Sequence, residues 1–196
     1  MTAKPNWLVK LTPTGAAVGA LRFATAQLTA GVRRLVQSNF VANQFAEKAY
    51  AFCAWCETSE ALAESSEEAS RSIRRLVAAL YLAALDLPEV EVDDAPEWYR
   101  LSMEERKKIW PKLNVLPFSY YQVLFTPSNL SEPPVVGDLT DDLEDIYADI
   151  KEGLWLFERG RHQAAVWQWR FSFESHWAHH ATDAIHALQA HGLPDA

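Results

Sequence analysis

From Leu139 to Ala190 the chain places apolar side chains every three or four residues, with one interruption at Gly160. That spacing gives an α-helix one apolar face, which is stable only when another apolar face covers it, so the stretch is committed to helix packing. Leu139, Leu143, Ile146, Ile150, Leu154 and Phe157 form the first stripe, with acids crowding its opening turns where the helix dipole favours them. Gly160 suits the left-handed residue that closes a helix, and a second helix is expected from about His162 to Ala190, stopped by Gly192 and Pro194.

The same period appears upstream. Val41, Phe45, Ala49, Phe52 and Cys56 predict a helix from Phe40 to about Thr58. Ser65 and Glu68 read as a capping box, followed by a stripe of Ala69, Ile73, Leu76, Val77, Leu80 and Ala84 that Pro88 ends. Ser102 and Glu105 cap a short helix ending near Pro111, and Phe118 to Phe125 is read as another, because a lone strand finds no partner in this reading. Thr126 to Gly137, with three prolines, is expected to be a surface loop. The expected fold is therefore all-α: a single-domain helical bundle of about four long helices, with short helices in a central insertion. It is expected to occupy residues 38–191, after an N-terminal extension of residues 1–37 and before a tail of residues 192–196.

Charge is divided unevenly. No Asp or Glu precedes Glu47, whereas Lys4, Lys10, Arg22, Arg33 and Arg34 do; the rest of the chain carries 13 basic and 26 acidic residues. A body that acidic repels a phosphate backbone, which argues against nucleic acid and for small molecules, metals or protein partners. The acid-free Pro13 to Gln37 stretch has the composition of a transit peptide or membrane-surface helix, but lacks a large apolar face, so a loosely held extension is the favoured reading. No apolar run is long enough for a transmembrane segment, and a cytoplasmic address follows by default.

On the last helix the stripe Trp167, Arg170, Glu174, Trp177, Ala181, Ile185, Leu188 puts two charged residues where the pattern reserves apolar ones. Desolvated charges are tolerated when paired, so Arg170 and Glu174 define either a structural ion pair or a polar pocket lined by Trp167, Trp169 and Trp177. His176 and His180 lie one turn apart and could share a metal, but they fall on the flank or solvent face of the helix, and a solvated polar face is the favoured reading. Asp142, Asp145 and Asp149 share one flank of the preceding helix, where carboxylates hold divalent ions or simply solubilise a surface. Cys53 and Cys56 form a C-x-x-C inside a helical pattern, which favours buried structural thiols over a redox pair or half of a zinc site. There is no Gly-rich phosphate loop, no G-x-S-x-G and no H-E-x-x-H.

The run Asp141-Asp142-Leu143-Glu144-Asp145-Ile146-Tyr147-Ala148-Asp149 to Leu154, followed by Trp167-Gln168-Trp169-Arg170-Phe171-Ser172-Phe173-Glu174-Ser175-His176-Trp177, resembles a bacterial family known as domain of unknown function 5063. The likeness extends over roughly residues 38–191. It implies an all-helical fold in a bacterial, cytoplasmic setting and brings no activity, cofactor or catalytic residue. Two functional expectations follow. The first is a module binding a small molecule or protein at the Trp-lined polar pocket around Arg170 and Glu174. The second is a divalent-metal-dependent hydrolase acting on a phosphate ester or nucleotide through Asp142, Asp145 and Asp149, helped by His180 or Glu174. A third, that the Glu152 to Leu188 hairpin binds a peptide like one tetratricopeptide unit, lacks the repetition such folds use.

Overall fold

The computed structural model describes residues 39–58, 64–92 and 99–191, all within one compact unit, Ser38–Ala196. The expected N-terminal extension, the turn near Ser59 and the tail lie outside the described residues. Helix α1 covers residues 39–57 and buries Phe45, Ala49, Phe52 and Cys56. Both cysteines are free and buried, and burial pushes their thiols well above the ordinary range.

Helix α2, Ser66–Leu85, opens on a complete capping box in which Ser65 accepts from the Glu68 N–H and the Glu68 carboxylate accepts from the Ser65 N–H. Its buried face is Ala69, Ile73, Val77, Leu80 and Ala84. A second capping box, Ser102 with Glu105, starts α3, Met103–Arg106; a 3₁₀ turn, Lys107–Ile109, then leads into α4, Trp110–Leu113. Arg106 is thereby held at the end of a firmly capped turn.

The segment expected to be a short helix after Pro117 is instead a strand. β1, Tyr120–Val123, pairs antiparallel with β2, Val135–Asp138, in a two-stranded sheet with Tyr121 opposite Gly137. Three of the four β2 residues, Val135 to Gly137, fall in the stretch expected to be loop, so the aromatic run has no partner when read by spacing alone. The ring of Tyr121 lies across Gly137, where a Cβ would come within 2.7 Å of it. Asp138 ends β2 and caps the next helix, accepting from the N–H groups of Thr140 at 2.9 Å and Asp141 at 3.4 Å.

Helix α5, Leu139–Glu158, is the axis of the bundle and packs on both halves of the last helical segment. Besides its apolar stripe it buries Asp142, Glu144, Asp149 and Glu152, an expensive set of groups to remove from water without partners. Gly160, at φ 73°, closes it, with the Arg161 N–H reaching back to the Leu156 carbonyl. Next come α6, His162–Ser172, a π turn, Phe173–Trp177, and α7, Ala178–His191. Among the described residues no helix is long and apolar enough to cross a membrane. The described residues are thus predominantly helical, with one small hairpin among them.

Candidate metal centre

The π turn sets the geometry of the site. In it the Ala178 N–H bonds to the Phe173 carbonyl, five residues back, so one extra residue is absorbed and the helix phase slips by about 100°. Ahead of the turn the core face is Ala165, Trp169 and Ser172; an unbroken α-helix would continue it through His176, His180 and Asp183. The slip instead buries Trp177, Ala181, Ala184 and Leu188. The histidines are turned to the edge of the core, against the acidic flank of α5.

There they meet partners at short range. Nδ1 of His176 lies 2.8 Å from the Asp149 carboxylate, and Nδ1 of His180 lies 2.7 Å from that of Asp142. In a neutral imidazole whose Nδ1–H donates to a carboxylate the Nε2 lone pair is free, and both Nε2 atoms face Asp145, at 3.8 Å from His176 and 3.7 Å from His180. One ligand atom from each of Asp145, His176 and His180 lies within 4.8 Å of the others. Three donors bound to one tetrahedral ion at the usual bond lengths would sit roughly 3.3 Å apart, so a small inward movement closes the set. Burial grades outward from Asp142 through His180 and Asp145 to His176, whose side chain is 45% exposed, leaving the trio open to solvent on one side.

A surrounding layer orients these groups. Arg106 bonds Asp145 through one guanidinium nitrogen and Glu144 through another at 2.8 Å, leaving the second oxygen of Asp145 for the histidines. The Trp110 indole N–H also donates to Glu144. The Tyr121 hydroxyl donates to Asp142, so the hairpin reaches the carboxylate that holds His180. Burial alone would lower the pKa of His180, but the Asp142 hydrogen bond and the charges of Asp142, Asp145 and Asp141 outweigh it, and the net shift is upward. For Asp149 burial dominates and raises the carboxyl despite the opposing pull of His176. Neither Tyr121 nor Arg106 was picked out from the sequence; each lies far from its partner along the chain, and no local spacing betrays it.

The residues of the expected polar pocket are placed differently. Trp169 and Trp177 are fully buried core side chains, and Trp167 stacks on Phe171 at 4.9 Å. Arg170 and Glu174 do pair, at 2.9 Å, but at the surface, with Glu174 58% exposed and Arg170 also donating to the Leu87 carbonyl at 3.0 Å. The expected stripe was phased on Trp177 to Leu188, and carrying that phase back across the π turn lands on Arg170 and Glu174 instead of Trp169. An exposed i, i+4 pair contributes little, so Glu174→Ala should change the unfolding free energy by about 0.5 kcal/mol or less in urea denaturation. A loss above about 2 kcal/mol would mean that the pair is buried in solution. A surface cleft of about 370 Å³ beside Tyr99 and Lys151 and another of about 270 Å³ between α1 and α2 include neither this pair nor Asp145, His176 and His180.

Comparison with known proteins bears on the fold more than the chemistry. No curated protein sequence matches the chain. The crystal structure of protein BF1032 from Bacteroides fragilis is similar, with a TM-score of 0.63 and 24% sequence identity over 78% of this chain and 93% of that one. That likeness is one of fold. The family profile described as domain of unknown function (DUF5063) matches residues 37–193. Its span takes in both walls of the centre, the arginine turn and the hairpin, and the chain belongs to the DUF5063 family.

Proposed function

We propose that this protein holds a divalent transition-metal ion, zinc above others, on Asp145, His176 and His180, and uses it to activate water. The observation that carries the reading is the pairing of both Nδ1 atoms with carboxylates of α5, which turns both Nε2 lone pairs toward Asp145. Carboxylate-backed histidine is the usual outer-layer arrangement around protein-bound zinc. Two imidazoles and one carboxylate suit zinc and its first-row neighbours better than magnesium, which prefers oxygen donors and retains water. Three protein ligands leave a position for solvent, as hydrolytic zinc sites require, and a bound cation would lower the pKa of water held there. The carboxylates Asp142 and Asp149 serve in this reading as orienting groups. We place the protein in the bacterial cytoplasm, the default address for a chain of this composition.

The test is metal uptake by the full chain after treatment with a chelator. Zn²⁺ at about 100 times its dissociation constant should add roughly 2.7 kcal/mol to the unfolding free energy, with a corresponding rise in Tm, and Mg²⁺ should add nothing measurable. Absence of a shift with Zn²⁺, Co²⁺, Ni²⁺, Mn²⁺ and Fe²⁺, together with no metal in the purified protein, rejects the proposal.

A further inference from the structure

We infer that the molecule entering the open position of this centre is neutral or cationic, not a phosphate ester or another multiply charged anion. The inference rests on the metal reading above and adds the class of ligand to it.

Charge around the trio is unbalanced. The two arginines at the site do not balance its acids: Arg106 is shared between Glu144, at 2.8 Å, and Asp145, and the largely exposed Arg100 stands 3.6 Å from Glu152. Set against the charges of the two glutamates, they leave those of five aspartates. Asp145 faces the ion, Asp142 and Asp149 back the histidines, and Asp141 and Asp183 stand close enough to repel Asp142. One ion of charge +2, with both histidines neutral as ligands, leaves this group at a net charge of −3.

Phosphate-binding centres are built the other way, with uncommitted Arg or Lys, a second metal ion or a helix N-terminus aimed at the anion. Here the helix N-terminus nearest the acids, that of α5, is occupied by the Asp138 carboxylate. The trio is open to solvent on the side of His176, whose side chain is 45% exposed, so the field of the surrounding carboxylates acts on any ligand that approaches there. Surface potentials of several kT alter local ligand concentration by a factor of about ten for each unit of charge. A protonated amine or other cationic base is drawn to this site, a neutral amide is admitted without penalty, and a dianionic phosphate is repelled.

The experiment uses the full chain loaded with Co²⁺, whose visible spectrum reports ligands entering the open position. Three pyridines carry the same ring donor and differ in remote charge: 3-(aminomethyl)pyridine, nicotinamide and nicotinate. Each affinity is taken relative to aqueous Co²⁺, which removes intrinsic donor strength. The expected order is cation, then neutral, then anion, with about tenfold between steps at low salt. The steps should shrink at 1 M salt, where screening extends only about 3 Å. Asp183→Asn should narrow them as well, without altering the Co²⁺ spectrum. An anion that binds as tightly as the neutral probe, or phenyl phosphate displacing bound solvent at low millimolar concentration, overturns the inference and leaves the metal site standing. Two Co²⁺ ions per chain would do the same, since a second ion cancels the excess charge. Failure of Co²⁺ to develop any protein-bound spectrum overturns the metal reading and this inference together.

Discussion

Asp145→Ala should lower zinc affinity by about 100-fold or more, measured by competition against a chromogenic chelator at neutral pH. Replacing a group that only orients a metal-bound histidine typically costs 10- to 100-fold, so deleting one of three protein ligands has to exceed that range. Asp142→Asn should fall inside it, because the amide no longer draws the Nδ1 proton of His180 as a carboxylate does. Tyr121→Phe, one step further out, should cost least. The metal-free variant should still fold: Arg106 keeps Glu144 when Asp145 is lost, and one member of a crowded acidic group is removed. Its metal-free Tm should move by less than the rise zinc produces in the parent protein. Wild-type affinity in Asp145→Ala would locate the ion elsewhere.

Acid should act on the same equilibrium. His180 must lose its proton to coordinate, and its pKa in the folded, metal-free protein is raised. Zinc affinity should therefore fall as pH drops through that raised pKa, with protons released on binding. Without metal the sign reverses. A raised folded pKa means that the proton stabilises the fold, fully so below the unfolded value near 6.5, and that this contribution fades as pH rises through the folded value. Asp142→Asn removes the main upward influences on His180 and should move both pH dependences toward acid.

How much of this centre is legible in the chain turns on one five-residue segment. Asp142, Asp145 and Asp149 fall on one flank of a regular helix, and their i, i+3, i+7 spacing was enough to group them. His176 and His180 grouped for the same reason. What spacing could not supply was the angle between the two groups, because the last helix is not one helix in phase. The π turn at Phe173–Trp177 rotates everything after it, and no Gly or Pro marks the place. Reading the helix as continuous puts Arg170 and Glu174 in the core and the histidines on a solvated flank, whereas the His180 side chain is only 16% exposed. The hairpin escaped for a different reason: β2 is four residues long, contains Gly137 and runs directly into the cap of α5, so its period was too short to compete with the helix signal beside it. The long stripes of α1, α2 and α5 were readable because many residues repeat one period and nothing breaks its phase.

The largest loss of stability from a single methyl group should come at Gly153. This residue sits mid-helix in α5, where glycine is normally a weakness, and nothing in the helical stripe explains its presence. The explanation lies across the interface: a Cβ built there would stand 2.1 Å from Nε1 and 2.3 Å from Cδ1 of Trp169. That indole cannot easily yield. It is fully buried, its N–H donates to the Ile150 carbonyl at 3.1 Å, and its ring packs on Phe45 at 4.7 Å and Phe157 at 5.7 Å. Helix propensity favours Ala over Gly by about 1 kcal/mol, whereas overpacking a dense core costs about 1–3 kcal/mol and more where the obstacle is rigid. Moving the indole would also strand a buried N–H, for about another 1–3 kcal/mol. Gly153→Ala should therefore destabilise by about 3 kcal/mol in urea denaturation, and the π turn should feel it, since Trp169 is the last large core residue before the phase slips. Zinc binding should weaken in the same variant although Gly153 touches no ligand. A Gly153→Ala protein as stable as the parent would show that α5 and α6 stand further apart than the Trp169 contact requires.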